Sequence, residues 1–94
     1  MHKSHEVAFT RVVAIEYARD GIRCNCVCPG VTSTPPIQTM LGRPDARKAT
    51  EESIPIGRLG RPEEIADAVL WLCSPAASYV TGQSISVDGG FVMR

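Results

Sequence analysis

Residues 3 to 19 carry apolar side chains at Val7, Ala8, Phe9, Val12, Val13, Ala14, Ile15, Tyr17 and Ala18. The spacing predicts a helix, but its apolar face is much wider than a single stripe. Arg11, Glu16, Arg19 and Asp20 are too few polar residues to solvate a helix standing free in water. A helix that is apolar nearly all round has to be covered on two sides. One cover is expected to be a sheet, and the other a second subunit or domain.

The rest of the chain is short of material for that cover. It has 94 residues, enough for one small domain at most. A chain of this size buries roughly 60–65% of the surface it exposes when unfolded, so it is marginal alone. Ten basic and ten acidic side chains cancel. Zero net charge removes the attraction expected of a nucleic-acid or membrane-surface partner. The aliphatic content is too high for a disordered tail. No apolar run is long enough for a membrane span, and the N-terminus lacks the apolar core of a signal peptide. The expected compartment is the cytoplasm.

Asp20-Gly21 is expected to stop the first helix, since glycine takes the left-handed conformation at helix ends. Ile22 to Cys28 then reads as a strand, with Ile22, Cys24, Cys26 and Cys28 on one face and Arg23, Asn25 and Val27 on the other. Pro29-Gly30 ends it. From Val31 to Leu59 the pattern weakens: Pro35-Pro36 and Pro44 read as breaks, and Asp45 to Ser53 as a short polar helix. Unpatterned stretches of this length inside a small domain are more often functional than idle. A second helix opens at Pro62, with Glu63 and Glu64 at its positive end. Ile65, Ala66, Val69, Leu70 and Leu72 form its apolar face, with Trp71 beside them as a core or interface residue. Ser74-Pro75 ends it, Ser78 to Gly82 is a turn, Ser84 to Val87 a strand, and Asp88-Gly89-Gly90 a tight turn without a following helix to bind phosphate. Alternation of helix and strand argues for a layered α/β architecture with a parallel sheet. Two strands do not make a stable, doubly covered sheet by themselves, so the pattern reads as the end of a larger fold.

Cys24, Cys26 and Cys28 alternate along the first strand, and Cys73 lies far away. Structural zinc sites pair ligands as C-x₂₋₄-C, which this spacing fits poorly. The expectation is buried small hydrophobic residues with no metal; disulfide or redox chemistry and metal binding are the alternatives, the last needing stoichiometric zinc. His2 and His5 have no paired ligand spacing and read as solvated terminal residues.

At this point a family comes into view. Gly21-Ile22-Arg23-Cys24-Asn25 with Cys28-Pro29-Gly30 resembles the G-I-R-V-N-x-V-x-P-G segment of short-chain dehydrogenases/reductases, and Thr34 falls on the threonine of its P-G-x-x-x-T pattern. Arg58-Leu59-Gly60 with Pro62-Glu63-Glu64-Ile65-Ala66 resembles R-x-G-x-P-E-E-I-A. Tyr79-Val80-Thr81-Gly82 and Val87-Asp88-Gly89-Gly90 resemble the closing Y-x-T-G and V-D-G-G. Each motif is weak alone; four in order along the chain are specific.

The resemblance implies the C-terminal part of a Rossmann-type doubly wound parallel sheet: two strands, two long helices and a substrate loop at about residues 31–59. Residues 1–94 would be one partial NAD(P)-binding domain. The glycine-rich turn after the first strand has no counterpart here, nor has N-N-A-G. Lys3 falls on the lysine of the family's Y-x-x-x-K pair, while the tyrosine would precede Met1 and the catalytic serine would lie earlier still. In the family that lysine lowers the tyrosine's pKa and hydrogen-bonds the nicotinamide ribose, so Lys3 is the one implied catalytic residue. The plainer alternative is a solvated lysine near a terminus. Lys3, Pro29, Gly30, Thr32 and Thr34 are the implied cofactor residues: the Thr32 backbone at the carboxamide, the Thr34 hydroxyl at the pyrophosphate. The family usually has an aliphatic residue at position 32. Met40 and Leu41 are candidates for lining an apolar substrate pocket. Arg43, Arg47 and Lys48 read mainly as a solvated face, with Lys48 and Glu52 spaced for pairing.

The implied activity is hydride transfer between NAD or NADP, with NAD favoured, and an alcohol or ketone. The implied assembly is a homo-oligomer, dimer or tetramer, built partly through the first helix. A different class of function stays open: a catalytically inactive chain acting only through association with itself or with a full-length relative.

Overall fold

The computed structural model describes residues 4–93. Helix α1 runs over Ser4–Tyr17 and tightens into a 3₁₀ turn at Ala18–Asp20. Gly21 closes it at φ 77°, its N–H donating to the Ala18 carbonyl. The left-handed stop expected at Asp20-Gly21 is therefore in place.

Strand β1 is shorter than the sequence predicts, Cys26–Pro29 rather than Ile22 to Cys28. The residues before it are held by other means. The Cys24 N–H donates to Thr81 Oγ1, Gly82 N–H to the Cys24 carbonyl, and the Asn25 amide reaches both ways, to the Val80 carbonyl and from the Gln83 N–H. Arg23 donates to the carbonyls of Val80 and Ser74. Side chains, with one backbone bond, thus take over from the longer ladder the sequence predicts.

Two short helices occupy the stretch after β1: α2 over Pro35–Met40 and α3 over Pro44–Ser53. Pro35-Pro36 starts a helix instead of breaking the chain. In a first turn proline's missing N–H has no partner to lose, and its fixed φ suits the helix. The polar helix expected at Asp45 to Ser53 is present and carries an Arg47–Glu51 ion pair at 3.0 Å. Helix α4 spans Pro62–Leu72, followed by strand β2 at Ser84–Val87 and a 3₁₀ turn at Phe91–Met93.

β1 and β2 pair in parallel, Cys26 opposite Ser84 and Pro29 opposite Val87. On one face Cys26 meets Thr10 of α1; on the other Val27 shares a groove with Val69 and Leu72 of α4. The two long helices therefore flank opposite faces of one α/β layer. Among the described residues the core is small: Ala14, Ile54, Leu59, Leu72 and Ala77, with Thr10 the buried polar residue. The Thr10 hydroxyl is satisfied by the Glu6 carbonyl at 2.7 Å.

The width of the α1 apolar face has its expected consequence. Thr10 and Ala14 are buried against the sheet side, whereas Phe9, Val12 and Ile15 are 69%, 60% and 80% exposed. Trp71 is 47% exposed and so belongs to the surface of α4, not the core. The cysteines are less covered than core residues: Cys24, Cys26 and Cys28 are half-buried and Cys73 exposed. None of the described helices is long and apolar enough to cross a membrane.

Candidate functional site

Parallel pairing puts the C-terminal ends of β1 and β2 at one edge, where open α/β sheets bind ligands. The loop Pro29–Thr34 leaves from that edge. Its first step continues the ladder, Gly30 N–H to the Val87 carbonyl at 3.0 Å. A Cβ at Gly30 would lie 2.6 Å from the Asp88 Cβ and 2.8 Å from its Cα. Only glycine lets the two strand ends meet this closely.

Gly60 clamps the next residues. Its N–H donates to the Val31 carbonyl at 3.0 Å and its carbonyl accepts from Ser33 N–H at 2.8 Å. These two bonds flank Thr32, which forms a parallel bridge with Gly60. Neither bond uses the Thr32 N–H. The Thr32 hydroxyl turns back onto the Gly30 carbonyl at 3.0 Å, so the threonine at this position fixes its own loop. Thr34 sits at the start of α2 in an extended conformation, and its side chain makes no capping bond. Thr34 N–H donates to the Thr32 carbonyl and Gln38 N–H to the Thr34 carbonyl. Pro29, Gly30, Thr32 and Thr34 thus lie on one hydrogen-bonded loop. Lys3 lies outside the described residues.

A carboxylate that sequence reasoning had placed only as a helix-start charge holds the clamp. Glu64, in the first turn of α4, accepts from both terminal nitrogens of Arg58, each at 2.9 Å. It also accepts from the Arg61 N–H at 2.8 Å, and the Arg61 guanidinium approaches to 3.4 Å. Hydrogen bonds from Arg58, then from the Arg61 backbone, together with both positive charges, hold the Glu64 carboxyl down at about 2. The same pairing raises Arg58. This fork spans Leu59-Gly60 and so fixes the residue that clamps the loop. The available signal was R-x-G-x-P-E-E itself: a guanidinium and a carboxylate on either side of a glycine.

Between the fork and the loop lies a cavity of about 140 Å³ bounded by Val31, Ile56, Arg58, Ile65 and Asp88. The Asp88 carboxylate accepts from Gly90 N–H at 3.0 Å and Val92 N–H at 3.1 Å. Asp88-Gly89-Gly90 is therefore a structural turn, as expected, although a short 3₁₀ turn follows it. Ile54 and Ile56 pack on Gly89 and Pro55 on Gly90. In the substrate-loop region Met40 is 72% exposed and Leu41 half-buried; Arg43 pairs with Asp45 at 3.2 Å in solvent. No group of three or more His, Cys, Asp or Glu side chains comes together among the described residues.

A parallel sheet edge with a glycine-opened loop beyond it belongs to an open α/β fold of the doubly wound kind. The chain belongs to the short-chain dehydrogenase/reductase family: the family model described as enoyl-(acyl carrier protein) reductase matches residues 1–92. A tropinone reductase homolog of Arabidopsis thaliana is 49% identical over 85 residues, covering 90% of this chain and 32% of the relative. The 3beta-hydroxysteroid dehydrogenase 1 of Eggerthella lenta is 48% identical over 84 residues, 89% of this chain and 32% of that one. The chain thus spans about a third of the length of the curated relatives it matches. Among solved structures, a 3-oxoacyl-[acyl-carrier protein] reductase from Brucella melitensis superposes with a TM-score of 0.89 at 37% identity, over 97% of this chain and 33% of that one. An Agrobacterium tumefaciens protein solved with bound NADP superposes with a TM-score of 0.86 at 39% identity, over 94% of this chain and 36% of the other.

Proposed function

We propose that this chain supplies the nicotinamide-facing loop and a subunit-contact helix of an NAD(P)-dependent oxidoreductase acting on an alcohol or ketone. The observation that carries the reading is the Pro29–Thr34 loop. Its backbone is fixed on both sides of Thr32, the Thr32 N–H takes no part in that fixation, and the Thr34 hydroxyl is not spent on capping α2. The residues fit a dinucleotide: an amide for a carboxamide, a hydroxyl for a pyrophosphate oxygen, and a glycine that leaves room for close approach.

Bound there, the cofactor supplies hydride exchange with the substrate carbon. The chain's own part is to orient it. Pro29 and Gly30 turn the backbone across the sheet edge, Thr32 aims its N–H, and Thr34 offers its O–H. Lys3 is assigned to hold the nicotinamide ribose and, by its charge, to stabilise a neighbouring phenolate in an intact enzyme. NAD is favoured over NADP on the frequency of the family; the nucleotide-selecting residue normally follows a strand this sequence does not contain.

Titration of the purified chain with NADH, followed by nicotinamide fluorescence, tests the reading. Saturable binding is expected, weakened about tenfold by Thr34→Val, a loss of about 1.4 kcal/mol. Absence of saturation at any accessible concentration overturns it for this chain.

A second reading rests on a different observation. The outward row Phe9, Val12 and Ile15 on α1 is the kind of apolar surface that marks an interaction site. It favours a chain acting by association with itself, as a dimer or tetramer, or with a full-length relative. Turnover of any secondary alcohol by the purified chain would reject the purely associative role.

A further inference from the structure

Cys26 and Cys28 stand two residues apart on β1, so both side chains leave the same face of the strand. Their sulfurs are 3.9 Å apart. The Cys28 sulfur also lies 3.3 Å from Ser84 Oγ on the neighbouring strand. Both residues are half-buried free cysteines, open enough to be reached and covered enough to keep their positions.

The separation has a chemical meaning. Two sulfurs on a tetrahedral cation, with bonds of ~2.3 Å, sit ~3.8 Å apart. We propose that Cys26 and Cys28 form a two-thiolate chelate for a thiophilic divalent cation of the zinc–cadmium kind. Each thiol gives its proton to solvent and each sulfur donates an electron pair to the cation; no oxidant or reductant takes part. Water fills the remaining positions, with the Ser84 hydroxyl at hand beside Cys28.

Zinc modules space their ligands C-x₂₋₄-C because a turn brings them together. Here the pleat of a strand does the same work at a spacing of one residue. No third His, Cys, Asp or Glu joins the pair among the described residues. The site is therefore open and exchangeable, unlike the closed four-ligand sites that hold a fold together. A disulfide is the poorer use of this pair. Residues two apart on a strand have Cα atoms ~6.6 Å apart, at the far limit of the ~4.4–6.8 Å a disulfide spans, and the sulfurs would have to close from 3.9 Å to bonding distance. A cation bridges them where they stand.

The test uses the reduced, purified chain titrated with Cd²⁺, read by the thiolate-to-cadmium charge-transfer absorbance. One Cd²⁺ per chain is expected. Cys26→Ser and Cys28→Ser should each weaken binding roughly tenfold or more, and Cys73→Ser should leave it unchanged. Alkylation of the unsubstituted chain gives a measurement independent of any variant: Cd²⁺ should protect Cys26 and Cys28 and leave Cys73 reactive. Light scattering should show no increase in mass on adding Cd²⁺. Binding that survives both serine variants, protection centred on Cys24 or Cys73, or bridging between chains would each overturn the assignment.

Discussion

Gly30 and Asp88 meet so closely that a Cβ on the glycine would stand 2.6 Å from the aspartate Cβ. The contact ties the loop after β1 to the turn after β2. Val87 accepts the Gly30 N–H, and the Asp88 carboxylate turns away to cap Gly90 and Val92. The two ends of the sheet edge are therefore one piece.

Gly30→Ala should destabilise the chain by ~1–3 kcal/mol, because the nearest obstacles are the Cβ and Cα of Asp88 and cannot swing aside like the end of a flexible side chain. Urea denaturation of the two proteins under identical assembly conditions measures it. An unchanged midpoint would mean that the edge is looser than the contact indicates.

Glu64 sets a pH dependence. Its folded carboxyl titrates at about 2, below the ordinary value of 4.5. A lowered folded value contributes stability that is present above about pH 4.5 and is lost as pH falls toward 2. The gap in thermal midpoint between the parent chain and Glu64→Gln should therefore be full at neutral pH and shrink across that window. High salt should narrow it too, since Arg58 and Glu64 are partly in solvent. A gap independent of pH would remove the charge from the explanation.

Asn25→Ala removes a side chain that donates to the Val80 carbonyl at 3.0 Å and accepts from the Gln83 N–H at 3.0 Å. A loss of ~1–2 kcal/mol is expected. Amide exchange should quicken at Gln83, whose N–H loses its partner; exchange unchanged there would place the support of β2 elsewhere.

Val12→Asp puts a charge in the middle of the outward row of α1, where Val12 is 60% exposed. The mass by light scattering should fall by about half or more if this face joins two copies. An unaltered mass would move the contact to another surface.

Much of this was legible in the sequence, and the gaps have physical reasons. The helix start at Pro62, the strand Ser84–Val87 and the stop at Gly21 follow from local rules, because capping and left-handed glycine act within a few residues. The true start of β1 did not follow. Ile22 to Asn25 alternate like a strand, but whether they pair depends on Thr81, Val80 and Gln83, more than fifty residues away. Pro35-Pro36 misled in the opposite sense: a proline pair reads as a break unless the first turn of a helix begins on it. Near the sheet edge, the motif singled out Gly30 and Thr34 as candidates, while the part of Gly60 as the clamp beside Thr32 needed three dimensions. Only the assembled chain shows Glu64 reaching back across Gly60 to Arg58. The burial of the cysteines was overestimated, since a two-strand sheet covers its faces less than a wide one does.

The parallel course of the two strands has one more effect. The wall behind Gly30 is supplied by Asp88, about sixty residues downstream, and closing a span of that length carries a larger entropic cost than a hairpin does. Such distant pairings form late. The loop is consequently among the last parts of the chain to take shape during synthesis, and a ribosome-bound intermediate ending before Asp88 should remain unable to hold it.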